Sequence, residues 1–242
     1  MKRYLNAVKN FILYILLPRT CFCCGRDMAR GDDNLLCPSC RATLKPIEDL
    51  CCLRCGLPLK DGGAHCHNCK GSKTEGFRCS FIRSSLEFTP ASRALVHALK
   101  YEGYINIVPF FTALMHKTYL KNPQYFEADF LVPVPIHKSR LKERGFNQAE
   151  LLAFGLSSLS DIPCLDVLAR EVKTKSQTSL DKKGRLENVK GAFSCKDKNL
   201  VKGKAVILID DVCTTGATFE ECARVLKQNG AREVLALSAL RE

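Results

Sequence analysis

The sequence of 242 residues contains no tryptophan, and aromatic residues make up only 8% of it. Base stacking depends on aromatic side chains, so any nucleic-acid binding should show little sequence preference. The apolar run at residues 11–17 is too short to span a bilayer. No small-residue cleavage site follows it, which argues against an export signal. These absences predict a cytoplasmic protein whose cysteines are reduced or bound to metal.

Residues 1–20 begin with Lys2 and Arg3 and continue with apolar residues at helical spacing. The pattern predicts an amphipathic helix that packs on the protein and ends at Pro18. Attachment to a membrane surface through the basic start is the alternative interpretation. The overall composition, 46% hydrophobic and 26% charged, is typical of a globular protein.

The fifteen cysteines are distributed unevenly, since eleven of them lie between Cys21 and Cys79. This asymmetry predicts two domains of different chemistry, residues 1–78 and residues 79–242. The first has too few apolar residues for a core of its own, so bound metal would have to supply its folding energy.

Four CxxC pairs in the first domain have the spacing of metal ligands. Each pair places two thiolates on one tight turn, and two pairs complete the tetrahedral four-cysteine site that Zn²⁺ prefers. We therefore expect a double zinc ribbon with two structural Zn²⁺. The candidate ligands are Cys21, Cys24, Cys37, Cys40, Cys52, Cys55, Cys66 and Cys69.

Alternatives to this ligand set remain open from the sequence. Cys23, Cys51, His65 or His67 could replace one of the ligands, and the pairs could interleave. A disulfide framework is disfavoured because no export signal is recognised. The later cysteines lack partners at suitable spacing and are interpreted as packed or loop residues. They are Cys79, Cys164, Cys195, Cys213 and Cys222.

From residue 79 onward the pattern alternates between strands and helices, which predicts an α/β domain with a mostly parallel sheet and helices on both faces. Strands are expected at residues 81–88 and 130–132. Helices are expected at residues 94–101, 106–120 and 148–159, with Thr89 as N-cap and Pro90 at the first helical position.

Residues 206–218 combine a strand, two acids and a small-residue loop. The strand is expected to be buried on both faces, to stop at Asp210 and Asp211, and to be followed by a helix that ends near Gly230. The start of that helix offers a phosphate cradle, while the two acids suit the hydroxyls of a sugar, directly or through Mg²⁺. The cradle residues are Thr214, Thr215, Gly216, Ala217 and Thr218.

A second anion site is predicted between residues 137 and 147, at the carboxyl end of another strand. The candidate ligands there are Lys138, Arg140 and Arg144. A basic surface turn is the alternative.

The net charge of +12 has its densest surplus at residues 170–204, with eleven Lys and Arg against four Asp and Glu. Such a surplus favours polyanions, although a solvated basic face has the same composition. Residues 173–188 are predicted to form a mobile cover over the site. Candidates for the cover, the acceptor site or DNA contacts are Arg170, Gln177, Lys182, Lys183 and Arg185.

The loop after Asp211 resembles the phosphoribosyl-pyrophosphate (PRPP) loop of type I phosphoribosyltransferases. With residues 144–148 (RGFNQ), residues 132–135 (VPVP) and the CxxC pairs, it makes the chain similar to the competence protein F family, which includes a GntX-type branch. The resemblance covers most of the chain and implies a phosphoribosyltransferase fold with a zinc-ribbon domain. It also implies that Asp210 and Asp211 hold the ribose hydroxyls while the loop binds the 5′-phosphate.

For function, the resemblance implies a part in DNA uptake, with single-stranded DNA and a helicase or another competence protein as partners. Three interpretations stay open. The chain is a PRPP-dependent transferase of unknown acceptor in DNA uptake, a PRPP-sensing or inactive DNA-binding adaptor, or a phosphoribosyltransferase of nucleotide metabolism. The oligomeric state is not predicted.

Overall fold

A computed structural model describes residues 20–28, 35–48, 50–59, 62–70, 77–172 and 189–242. The predicted amino-terminal helix lies outside the described residues. So does the predicted cover, with Gln177, Lys182, Lys183 and Arg185.

The described residues form six named strands and eight α-helices. The strands are β1 (Phe81–Glu87), β2 (Phe130–Pro133), β3 (Leu168–Arg170), β4 (Phe193–Cys195), β5 (Ala205–Cys213) and β6 (Glu233–Arg241). The helices are α1 (Pro38–Arg41), α2 (His67–Lys70), α3 (Pro90–Tyr101), α4 (Val108–Lys121), α5 (Lys138–Arg144), α6 (Gln148–Ser160), α7 (Lys198–Val201) and α8 (Ala217–Gln228). Short 3-10 turns occur at Ile105–Ile107 and Pro123–Tyr125.

Four strands form one fully parallel sheet in the order β1, β6, β5, β2. Side chains of β5 alternate between two cores, with Ile207 and Ile209 on one face and Val206 and Leu208 on the other. Helices α4 and α6 cover the first face, and α8 covers the second together with the antiparallel pair β3 and β4. The predicted α/β class is therefore confirmed, because a strand buried on both faces requires cover on both sides.

Local sequence explains where the helices begin. Thr89 caps α3 through a reciprocal pair of hydrogen bonds with Ser92, and Pro90 occupies the first turn. Asn147 caps α6, since its Oδ1 accepts the Ala149 N–H at 3.1 Å. Its Nδ2 donates to the carbonyl of Val134 at 3.1 Å, which fixes the start of α6 to the end of β2.

One sequence prediction was wrong in detail, and one helix was not predicted. Strand β5 does not stop at the acids but continues to Cys213, because β6 pairs with it as far as Cys213 opposite Arg241. The link at residues 137–147 contains helix α5, which begins after His137 and ends at Gly145. Gly145 has φ 85°, a left-handed conformation that suits glycine at a helix end.

The cysteine-rich segment packs directly on the edge of the sheet. Residues between its two halves run beside β1, where the Ile47 N–H donates to the carbonyl of Ser85 at 3.0 Å and the Glu87 N–H to that of Lys45 at 2.8 Å. Farther along β1, the Ile82 N–H donates to the carbonyl of Arg54 at 2.9 Å. The residues between the two halves and the second half are thus joined to the sheet through main-chain hydrogen bonds.

Candidate functional site

The two predicted acids lie side by side near the carboxyl end of β5. Asp211 is buried, at 3% exposure, and its Oδ2 lies 2.5 Å from Nζ of Lys100 in the last turn of α3. Asp210 is half-buried, and its Oδ1 accepts the Asp211 N–H at 2.8 Å. One acid is thus neutralised by a lysine while the other is partly open to solvent.

Their surroundings push the two pKa values apart. Burial and the negative charge of Asp211 together raise the pKa of Asp210 well above its ordinary value. Burial also acts to raise the pKa of Asp211, but the ammonium of Lys100 outweighs it and holds that pKa below its ordinary value. Asp211 is therefore the acid that carries charge most readily.

The phosphate loop, defined here as residues 213–218, joins β5 to α8. Gly216 has φ 80°, which the turn into α8 requires and a side chain would strain. The Ala217 N–H donates to Oγ1 of Thr215 at 3.3 Å. The loop lines a concave pocket with Asp210 and Phe219. Main-chain N–H groups at the start of a three-turn helix, beside small side chains, suit a phosphate group.

Arg241 binds the main chain at the start of the phosphate loop. Its guanidinium is buried, and Nη1 donates to the carbonyl of Cys213 at 2.8 Å and to that of Thr214. Since both carbonyls accept from one donor group, the chain direction at the start of the loop is fixed.

Two arginines lie near the acid pair. Arg144, at the end of α5, donates to Oε1 of Gln148, lies 5.4 Å from the ring centre of Tyr101 and interacts electrostatically with Asp211. Arg170 in β3 covers the ring of Phe193 at 5.2 Å.

The pKa of Arg170 shows what surrounds its guanidinium. Burial lowers this pKa and the charge of Arg140 lowers it further, while Asp210 acts in the opposite direction. The structure thus brings Arg144 near Asp211 and Arg170 near Asp210, with Arg140 near Arg170, whereas Lys138 is exposed at the start of α5. This arrangement can accept a second anion beside the phosphate loop.

Eight cysteine sulfurs converge in two groups of four. Within each group the sulfur atoms all lie within 4.8 Å of one another; the groups are Cys21, Cys24, Cys37 and Cys40, and Cys52, Cys55, Cys66 and Cys69. The sulfurs of Cys24 and Cys37 are 3.8 Å apart, and those of Cys55 and Cys66 are 3.7 Å apart. A tetrahedral Zn²⁺ with bonds of about 2.3 Å requires sulfurs about 3.8 Å apart, so both groups fit this ion.

Main-chain donors in both groups favour the thiolate form that metal binding needs. Burial acts to raise the pKa of Cys21, but the N–H groups of Cys37, Cys24 and Cys23 lower it to about 6. In the second group, burial is likewise outweighed by the N–H groups of Cys55 and Cys66, and the pKa of Cys52 falls to about 5. Burial and the other cysteines of each group raise the pKa of Cys40 and of Cys69, so Cys21 and Cys52 are the thiols that ionise first.

The alternative ligands lie outside both groups of four. Nδ1 of His65 is 4.0 Å from Sγ of Cys52, a distance that suits a hydrogen bond to sulfur. Cys23, Cys51 and His67 do not belong to either group. All fifteen cysteines fall within the described residues, and each is a free thiol rather than half of a disulfide. Of the later ones, Cys79, Cys213 and Cys222 are buried, and Cys164 and Cys195 are half-buried.

Sequence reasoning missed Lys100. A helix that follows a parallel strand normally returns along the sheet to its opposite edge. Here α3 begins after the carboxyl end of β1 and ends with Lys100 beside the carboxyl end of β5, so it lies across that edge. A lone lysine after an apolar helical face gives no signal for this. The short link between Tyr101 and the next helix is the one feature of the sequence that could have indicated this crossing of the sheet edge.

Comparison with known proteins agrees with this geometry. The phosphoribosyl transferase domain family model matches residues 141–240, and the double zinc ribbon domain model matches residues 12–70. Competence protein F of Haemophilus influenzae is 32% identical over 206 residues, which cover 83% of this chain and 88% of that protein. The chain belongs to the competence protein F family. The resemblance seen in the sequence is thereby confirmed.

Other relatives of this competence protein F family member carry related names. Competence protein ComFC of Bacillus subtilis is 34% identical over 203 residues, covering 82% of this chain and 80% of its own. DNA utilization protein YhgH of Escherichia coli K12 is 29% identical over 231 residues, covering 91% and 96%. Every helix in the described part of the chain is too short or too polar to cross a membrane.

Proposed function

We propose that this competence protein F family member binds PRPP together with Mg²⁺. The observation that carries the proposal is the placement of Asp210 and Asp211 directly before a phosphate loop, where Arg144 lies near Asp211 and Arg170 near Asp210. Ligands of open α/β folds bind at the carboxyl ends of parallel strands. PRPP carries a phosphate, a diol and a pyrophosphate in that order, and the site offers a partner for each.

The phosphate loop and the acids would hold the ribose 5-phosphate half. Main-chain N–H groups at Gly216 and Ala217 would bind the 5′-phosphate, helped by the hydroxyls of Thr214, Thr215 and Thr218. Asp210 and Asp211 would accept hydrogen bonds from the 2′- and 3′-hydroxyls of the ribose. Lys100 would then share Asp211 with the sugar, or release it.

The arginines would hold the pyrophosphate half. Arg140, Arg144 and Arg170 have planar forks that suit phosphate oxygens, and repulsion between Arg140 and Arg170 favours an anion between them. Lys138 would extend this surface towards solvent. Bound Mg²⁺ would supply further positive charge for the pyrophosphate and hold its oxygens in a fixed arrangement.

The reaction that this arrangement suits is transfer of the ribose 5-phosphate group. A nitrogen atom of the acceptor would form a bond to C1 of the ribose while the bond from C1 to the pyrophosphate oxygen breaks. Pyrophosphate would leave with the electron pair, and the acceptor nitrogen would lose its proton to solvent. The acids would support the positive charge that develops on the ribose ring.

We also propose one structural Zn²⁺ in each group of four cysteines, held by the eight CxxC sulfurs. Their separations match a tetrahedral ion, and the thiolate form is favoured at neutral pH in Cys21 and Cys52. Reduced, metal-bound cysteines suit the cytoplasm, where we expect the protein to act.

The names of the relatives support a role in DNA uptake, with single-stranded DNA as a binding partner and a helicase or another competence protein beside it. The basic surplus at residues 170–204 is the feature that would contact phosphates. In the described part of this segment, Lys196 is paired with Asp166 and Lys204 with Asp129. We expect DNA contacts at Lys182, Lys183 and Arg185, which lie outside the described residues.

Calorimetric titration of PRPP with Mg²⁺ tests the central proposal. The double variant Asp210→Asn with Asp211→Asn should lose binding while the fold survives, because Asn keeps the shape of each side chain and Lys100, whose side chain is 20% exposed, can turn to solvent once Asp211 is neutral. Asp166→Asn, an exposed carboxylate near β3, is the matched control and should bind like wild type. Wild-type affinity in the double variant would refute the assignment of the loop.

Turnover separates a transferase from an adaptor that merely binds PRPP. The protein should be incubated with PRPP, Mg²⁺ and a pool of nucleobases, amines and single-stranded DNA while pyrophosphate is assayed. A transferase releases pyrophosphate rapidly with one acceptor. Slow release with every acceptor, while PRPP binding is intact, identifies an adaptor.

A further inference from the structure

One buried arginine connects the second group of cysteines to the phosphate loop. Besides its bonds to the carbonyls of Cys213 and Thr214, the Arg241 guanidinium places Nη2 at 3.9 Å from Sγ of Cys55. Arg241 is only 6% exposed, so these contacts are shielded from water. A single planar group therefore joins a candidate metal ligand to the main chain of the loop.

The second ribbon also holds the strand that lies under the loop. Nη1 of Arg83, a buried residue, donates to the carbonyl of Leu53 at 3.1 Å. The backbone of Gly56 approaches Ile82 so closely that a Cβ at residue 56 would lie 2.6 Å from the Ile82 carbonyl oxygen. Ile82 also lies near the phosphate loop, because its Cδ1 would be 3.6 Å from a Cβ at Gly216. The turn at residues 52–56 of the second ribbon and the phosphate loop thus pack against the same residue of β1.

The first ribbon contacts other residues of the sheet domain. Phe22 meets the ring of Tyr104 edge-on, with centroids 4.7 Å apart, and Arg41 covers the ring of Phe110 at 5.9 Å. Tyr104 precedes α4, and Phe110 lies in its first turn. A variant in the first ribbon therefore serves as a control for a variant in the second.

We infer that the second cysteine cluster, acting through Arg241, sets the geometry of the phosphate loop. Metal bound by Cys52, Cys55, Cys66 and Cys69 would fix the position of the Cys55 thiolate, which accepts a charge-assisted hydrogen bond from Arg241. Without metal, this turn loses its folding energy and Arg241 loses a fixed acceptor. The loop carbonyls that share the same guanidinium then lose their anchor. Arg241 is thus a positioning residue. The identity of the ligand that the loop holds rests on the proposed binding of PRPP.

Hydrogen exchange tests the coupling without any ligand. Zinc-loaded full-length protein should be compared with Cys69→Ser in the second cluster, Cys24→Ser in the first, and Arg241→Gln. We expect amide exchange in residues 213–218 to rise by about tenfold in Cys69→Ser and Arg241→Gln, the effect of one lost charged hydrogen bond, and to stay unchanged in Cys24→Ser. Unchanged exchange in the first two variants, or an equal rise in Cys24→Ser, would overturn the inference.

A second arm uses PRPP and remains informative if a cysteine variant fails to fold. Coupling between two sites is reciprocal, so PRPP with Mg²⁺ should slow zinc release from the second cluster of wild-type protein to a colorimetric chelator, and leave the first cluster unaffected. Arg241→Lys, which keeps the charge but lacks the fork, should lose this protection. Protection that survives in Arg241→Lys counts against the coupling. If wild-type protein binds no PRPP at all, the proposed function fails, while the exchange experiment still decides the coupling.

Discussion

The ion pair between Lys100 and Asp211 should be essential to the stability of the ligand-free protein. In the variant Lys100→Met, a buried carboxylate keeps its charge but loses its nearest cation. The side chains of Lys100 and Asp211 are 20% and 4% exposed, so water would replace the ammonium poorly. We therefore expect a large loss of stability at neutral pH from a substitution that leaves the hydrophobic core intact.

The distance between the two charges gives the size of this loss of stability. At 2.5 Å and an effective dielectric constant of about 20, the attraction is about 7 kcal/mol, most of which offsets the desolvation of the two ions. Removal of one partner from a buried pair costs about 3 to 5 kcal/mol. Because Arg144 also faces Asp211, we expect the lower end, about 3 kcal/mol. For a protein of this size that corresponds to a fall in Tm of about 6 to 12 °C.

The dependence on pH identifies the cause. Since its pKa is lowered in the folded protein, Asp211 contributes stability above its unfolded pKa of about 4, and this contribution disappears as the pH falls through the folded value. The difference in Tm between wild type and Lys100→Met should therefore shrink in acid. Calorimetry of zinc-loaded protein at several pH values measures it, with Lys142→Met, an exposed lysine of α5, as the control. A difference below about 2 °C at neutral pH would refute the reasoning.

The remaining predictions concern metal, loop, charge and DNA. Purified protein should contain two Zn²⁺ per chain by elemental analysis, and one ion or none would contradict the two-cluster assignment. Cys37→Ser should reduce the content to one Zn²⁺ while the sheet stays folded. Gly216→Ala should cost about 1 kcal/mol in unfolding experiments because φ is 80°, and should weaken PRPP binding in calorimetry. Asp210→Asn should raise the Tm at neutral pH, because the raised pKa of Asp210 means that stability falls as pH rises through that value; an unchanged Tm would show that the acid is well solvated. Affinity for single-stranded DNA should fall steeply with salt, and Gln at Lys182, Lys183 and Arg185 should flatten that slope; a slope equal to wild type would exclude those residues.

The parts of the fold that could be predicted are those in which local pattern and tertiary role agree. The aliphatic run before Asp210 can only be buried on both faces, and Thr89 with Pro90 can only open a helix in that context. The CxxC spacing is similarly informative, because two thiolates on one turn have few uses other than metal binding. In each case the residues carry their own geometry.

The parts that could not be predicted depend on how elements cross in space. Lys100 meets Asp211 because α3 lies across the edge of the sheet, and its direction is set by packing rather than by its own residues. Arg241 joins Cys55 to the phosphate loop across 186 residues of chain, a contact that no spacing rule encodes. Strand β5 continues past the acids because its neighbour β6 is long enough to pair with it. Each of these features belongs to a pair of elements and not to a segment.

The hydrogen bonds between residues 45–47 and β1 bear on how the protein can be divided. Strand β1 is the last strand of the parallel sheet on its side, and the segment between the two ribbons covers part of its open edge. If the cysteine-rich region were removed, the main-chain groups of Ser85 and Glu87 that now bond to this segment would be left facing solvent. Exposed strand edges recruit other chains, so a fragment that begins at residue 79 should tend to aggregate even though its sheet is complete. The cysteine-rich region would thus protect an open strand edge of the phosphoribosyltransferase-like domain.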